Sequence, residues 1–119
     1  MRVAVKDAAQ LLKALGDESR LQIVALLSRF GELCVCDFES ALGFSQSKSS
    51  RHMRYLLNVG LVENRREGQW LHYRIRKNLD PDHRKLLAHL ERLLPTDEVD
   101  ALEQRMKSWL DRKATAAGC

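Results

Sequence analysis

Long apolar runs are missing from this chain. No stretch of its 119 residues approaches the ~18 consecutive apolar side chains of a membrane-spanning helix. Lys6 and Asp7 stand where a secretory leader needs an unbroken apolar segment, so the expectation is a cytoplasmic protein with no membrane partner. The marks of common enzyme classes are missing too. There is no glycine-rich phosphate loop, no Ser/His/Asp set in a usable order and no carboxylate pair with an evident pocket. No catalytic residue and no organic cofactor are expected. Cysteine is scarce: three residues, none of them in the first thirty-three. In a reducing compartment such a set points to metal or redox chemistry rather than to a disulfide framework. Repeats, low-complexity tracts and linkers are also lacking, and the length suits one domain, residues 1–119.

What is there is mostly helical. Val5, Ala8, Leu12 and Leu15 repeat with helical spacing, and Gly16 ends that segment. Asp17 is a suitable N-cap for a second helix carrying Leu21, Val24 and Leu27, closed by Gly31. A short third helix is expected from about Leu33 to Leu42. Gly43-Phe44-Ser45 then makes a three-residue turn into a fourth helix that runs to about Val59, with Met53, Leu56 and Leu57 inward. After Gly60 the period changes to two. "LVENRRE" and "WLHYRIR" read as a hairpin turning at Gly68. Asp80-Pro81 opens a fifth helix, Pro95 interrupts it, and a sixth is expected from Thr96 to Lys113 before a fraying tail. The terminal helices carry more leucine than a short monomer needs. They either complete the core or, as we prefer, build a dimer interface.

The net charge of +4 is modest, but its placement is not even. Eight Lys and Arg lie between Lys48 and Lys77, against only Glu63 and Glu67. Such a local excess suits a polyanion, or else is a solvated basic face. Helix, glycine turn, helix and hairpin in this order form a winged helix-turn-helix, whose second helix enters the major groove. Gln46, Ser47, Lys48, Ser50, Arg51 and Arg54 face outward on that helix. Gln and Arg can pair with base edges, and Ser, Lys and Arg with phosphates. Arg65 and Arg66 near the hairpin tip, with Gln69 past the turn, supply a basic wing.

Two of the three cysteines sit in "ELCVCD". On a regular helix with Val35, Phe38 and Leu42 inward, Cys34 and Cys36 lie about 100° to either side of the core face. They converge on one ion only if the first turn loosens. A helix start also favours thiolate. The alternatives for the pair are inert buried cysteines, a soft-ion site, or an oxidant sensor in which Cys34 and Cys36 respond themselves or one of them bonds Cys119.

With these residues in view, the chain resembles the ArsR/SmtB family of metal-responsive repressors over nearly its whole length. The resemblance is carried by "LKALGDESRLQIVALL", "ELCVCDF" and "SQSKSSRHMRYLLNVGLVENRREGQWLHYRI". It implies a homodimer on two-fold operator DNA that leaves when an ion binds, with Gln46, Ser47, Lys48, Ser50, Arg51 and His52 in or near the groove. "ELCVCD" implies arsenic(III) or antimony(III) as inducer, with cadmium or lead as the alternative in the same fold. Arsenic(III) takes three thiolates. Glu39 stands where relatives often have a third cysteine, which leaves Cys119 as the candidate third ligand. Ser49 replaces a usually apolar residue. Asp82, His83 and His89 do not match the family's zinc spacing, so zinc sensing is not expected.

Overall fold

The computed structural model describes residues 4–115. The order is α1 (Val5–Leu15), α2 (Glu18–Phe30), β1 (Glu32–Cys34), α3 (Val35–Leu42), α4 (Gln46–Asn58), β2 (Val62–Glu67), β3 (Trp70–Ile75), α5 (Pro81–Leu93) and α6 (Thr96–Thr115). No helix among the described residues is long and apolar enough to cross a membrane.

The caps explain most of these boundaries. Asp17 accepts from the Arg20 N–H at 3.0 Å, Ser45 from the Lys48 N–H at 3.1 Å, and Asp80 from the Asp82 N–H at 2.8 Å, next to Pro81 at the helix start. Gly43 ends α3 in the left-handed region at φ 74°, and its N–H reaches the Glu39 carbonyl at 3.0 Å. Only Phe44 then separates it from the Ser45 cap, so the helix-turn-helix is as tight as its sequence suggests. Gly68, at φ 61°, supplies the positive dihedral at the first central position of the two-residue hairpin turn.

One expectation is corrected. The segment from Leu33 does not begin a helix. Glu32–Cys34 is a strand, paired antiparallel with β3 in the register Glu32↔Arg74, Leu33↔Tyr73, Cys34↔His72. The wing is therefore a three-stranded sheet in the order β1-β3-β2. Leu33 is buried on it against the core while Val35 opens α3. α1 spans the expected Val5–Leu15; it buries Leu11, Ala14 and Leu15, while Val5 and Leu12 of the repeat Val5, Ala8, Leu12 and Leu15 remain 88% and 58% exposed.

The core joins Ile23, Leu26 and Leu27 of α2 to Phe38 of α3, Met53 and Leu56 of α4, Leu61, Val62 and Tyr73 of the wing, Leu87 of α5 and Met106 of α6. The last helix packs along α3 and α2, so it reaches back to the cysteine segment. It extends two residues beyond the expected end; residues 116–119 of the tail, including Cys119, lie outside the described residues.

Ser49 is fully buried on the inner face of α4, and its Oγ has no hydrogen-bond partner among the described residues. A hydroxyl taken from water and left unpaired costs about 1–3 kcal/mol. Ser49→Ala should therefore raise the unfolding free energy by about 1 kcal/mol, read as a higher urea midpoint at unchanged slope. A lower midpoint would mean that the hydroxyl has a partner.

Candidate nucleic-acid interface and thiol site

The start of α4 carries no buried apolar residue, which leaves its first two turns to polar chemistry. Gln46, Ser47, Ser50, Arg51 and Arg54 are exposed, and Ser47, Ser50, Arg51 and Arg54 line one shallow depression of about 330 Å³. Lys48 is half-buried, with its ammonium 4.2 Å from the ring centre of Phe44 in the turn. Arg66 and Gln69 are exposed at the wing tip. These residues form a polar, cationic surface without a carboxylate on α4 itself.

Two expected members stand differently. His52 does not face outward. It is 5% exposed, on the inner side of α4, near Phe44 and Arg20. Helical rotation puts it beside Met53 and Ser49 rather than beside Arg51. Arg65 is exposed but already neutralised. Its Nε lies 3.0 and 3.1 Å from the two Glu32 carboxylate oxygens, its Nη2 donates to Glu32 at 2.6 Å and its Nη1 to Glu67 at 3.1 Å. These hydrogen bonds hold the Glu32 carboxyl below, and the Arg65 guanidinium above, their ordinary pKa values. Arg66 is thus the wing cation left open to a phosphate.

Nothing local in the sequence announces what seats α4. Arg20 closes the end of α1 by donating to the Ala14 carbonyl at 2.6 Å and the Lys13 carbonyl at 3.2 Å. The same guanidinium lies over the Tyr55 ring at 4.1 Å and reaches His52 Nδ1 at 3.2 Å. Arginine only donates, so Nδ1 is the acceptor and the neutral ring carries its proton on Nε2. One side chain thereby joins the end of α1, the start of α2 and the inner face of α4. The available signal was Arg20 three residues after an N-cap, too common to stand out.

At the cysteine segment, Cys34 is the N-cap of α3, in extended conformation and 3% exposed. Cys36 lies in the first turn and is half-buried. The two sulfurs thus sit across a strand–helix junction, not on one regular helix as the sequence suggests. Asp37 is 2% exposed. Its Oδ2 accepts from the Cys34 N–H at 2.7 Å, the carboxylate arm of a capping box. Its Oδ1 accepts from Trp109 Nε1 at 2.8 Å and Lys113 Nζ at 2.8 Å, and lies 3.9 Å from Cys36 Sγ. Among the described residues no three His, Cys, Asp or Glu side chains cluster as a metal would need.

A helix-turn-helix with a three-stranded wing and a cationic second helix defines a class, the winged-helix regulators. Within it, the family model described as bacterial regulatory protein, arsR family, matches residues 17–64, from the Arg20 cap through the cysteines to the wing. The chain belongs to that family. It is 56% identical over 66 residues to the arsenical resistance operon repressor of Escherichia coli, a match covering 56% of each chain. It is 41% identical over 82 residues to a cadmium resistance transcriptional regulatory protein CadC homolog of Staphylococcus aureus, covering 69% of this chain and 64% of that one. Its matches thus span little more than half the length of these relatives. The solution structure of the homodimeric winged helix-turn-helix DNA-binding domain of Mb0332 from Mycobacterium bovis, described as a possible ArsR-family transcriptional regulator, superposes with TM-score 0.64 at 35% identity. That match covers 75% of this chain and 79% of that one.

The His52 arrangement makes stability depend on pH. Burial above all holds its pKa below the ordinary 6.5; Arg20, Arg51 and Lys48 act in the same sense, and Asp17 opposes them. The unfolded chain therefore takes up this proton first. The contribution is complete above pH 6.5 and is lost as pH falls through the lower folded-state value. Thermal melts from pH 6.5 downward should show wild type losing stability more steeply than His52→Gln. Parallel profiles would remove His52 as the cause.

Proposed function

We propose that the protein is a cytoplasmic, homodimeric transcriptional repressor that binds operator DNA and releases it when arsenite or antimonite engages the sulfurs of Cys34 and Cys36. The observation that carries the DNA half is the grouping of Ser47, Ser50, Arg51 and Arg54 on one exposed side of α4, directly after the tight turn. In this reading Gln46 and Arg51 address base edges, while Ser47, Lys48, Ser50, Arg54, Arg66 and Gln69 contact phosphates or the wing's groove. His52 serves from behind by seating the helix, and Arg65 reaches DNA only by leaving Glu32.

The inducer half is supported by two sulfurs bracketing a helix start in a family whose relatives include a repressor of arsenical resistance. Soft thiolates prefer soft ions. Cys119 is the candidate third donor. The CadC homolog among the relatives favours cadmium as a second inducer for the same sulfurs.

For the dimer, residues 1–119 form one winged-helix unit whose terminal helices meet a second copy. Exposed Val5 and Leu12 on α1 offer an apolar stripe. An apolar cleft of about 640 Å³ between α2 and the α5–α6 corner, lined by Leu21, Ala25, Leu94, Val99 and Leu102, offers a place to bury one.

The deciding experiment is anisotropy of labelled promoter DNA with reduced protein. Arsenite should release the DNA from wild type but not from Cys34→Ser/Cys36→Ser, and a Cys119→Ser variant tells whether the tail takes part. Arg51→Ala should weaken binding by about 1–3 kcal/mol and relax base preference, whereas Arg66→Ala should mainly lower the salt slope by about one. If neither arginine matters, the groove assignment fails; if only cadmium releases the DNA, the inducer assignment does. Leu12→Glu, on a side chain the monomer leaves exposed, should give a folded monomer by light scattering, with DNA affinity lost. A stable dimer would exclude α1 from the interface.

A further inference from the structure

Asp37 is the most demanding group in the described structure. Its carboxylate is almost wholly removed from water, and three donors from two distant segments meet it: the backbone of Cys34, the indole of Trp109 and the ammonium of Lys113. A buried charge that loses one partner is strongly destabilised, so these contacts stand or fall together. The donor on the cysteine side is the N–H of Cys34 itself, the residue whose sulfur the reading above assigns to the inducer. Cys34 is 3% exposed and paired with His72 in the sheet. Its sulfur cannot reach an outside ligand without opening the β1–α3 junction, and that opening pulls away the 2.7 Å arm of the Asp37 network.

We propose that Asp37 is a positioning residue that ties occupancy of the cysteine segment to the seating of the C-terminal half of α6, with Trp109 and Lys113 as the receiving groups. The inference rests on the proposed inducer site and adds its line of transmission. When the junction opens, Asp37 either swings with its α6 donors or lets them go. In both cases the last turns of α6 change place against α3. The upstream half of the same helix carries Val99 and Leu102 of the apolar cleft, so a shift of α6 also moves the surface assigned to the second copy. This places the lever at the dimer geometry.

The chain has two tryptophans, Trp70 and Trp109, so Trp70→Phe leaves Trp109 as the sole indole. In that background the reduced full chain is titrated with arsenite under three readouts: intact mass for loading of the sulfurs, Trp109 emission for the network, and anisotropy of labelled promoter DNA for release. Trp109 emission should follow loading. Asp37→Asn and Lys113→Met should still load arsenite but need about fivefold or more of it for the same DNA release. If Asp37→Asn does not fold, Lys113→Met carries the test, because it leaves the carboxylate its two neutral donors. Loading with unchanged Trp109 emission, or DNA release from Lys113→Met at the wild-type arsenite concentration, overturns the inference and leaves the inducer site standing. Absence of loading overturns the inducer site, and the inference with it.

Discussion

A carboxylate removed from water dictates terms to everything around it, and in this protein that carboxylate is Asp37. It needs a backbone N–H, which sets where β1 stops and α3 begins. It needs an indole and an ammonium, which fixes the direction and rotation of α6 as it crosses α3. An apolar residue at this position could pack, but it could not specify one rotation of α6 over another. Cys34 and Cys36 flank this carboxylate, so a change at either reaches a buried group that tolerates the loss of a partner poorly.

Arg20 plays the complementary part on the other side of the molecule. It satisfies two carbonyls at the end of α1 and supports the inner face of α4 through His52 and Tyr55. The helix α4 therefore does not rest on hydrophobic packing alone. Its apolar anchors Met53 and Leu56 sit in the second half, while its first half is held by polar contacts and by an unpaired Ser49 hydroxyl. The half that presents Gln46 to Arg51 is the less tightly packed one, leaving it free to adjust to a surface.

Much of this was written locally in the sequence, and what was not has a common cause. Asp17, Ser45 and Asp80 announce their helices because a cap acts over three residues, and Gly43 and Gly68 announce turns because few other residues take a positive φ. The α4 face and the wing could be read from periodicity. The strand at Glu32–Cys34 could not, because three residues carry no period and its partner is forty residues away on β3. The polar network was hidden for the same reason: Asp37 to Trp109 spans 72 positions, Arg20 to His52 spans 32 and Arg65 to Glu32 spans 33. Resemblance supplied His52 as a groove residue but could not say which side of α4 it takes. Rotation about the helix axis, fixed by the core, decided that.

The order β1-β3-β2 leaves β2 on the outside of the sheet, with one row of backbone N–H and C=O groups unpaired. Such an edge invites a strand from another molecule. Here it is crowded with Glu63, Asn64, Arg65, Arg66 and Glu67, and Arg65 is pinned across the sheet to Glu32. Under the proposed function the wing's charge answers two demands at once: attraction to a polyanion, and resistance to edge-to-edge aggregation. Replacing wing arginines with neutral residues would remove some of that protection, so the same substitutions that test the proposed binding would also expose the edge to self-association.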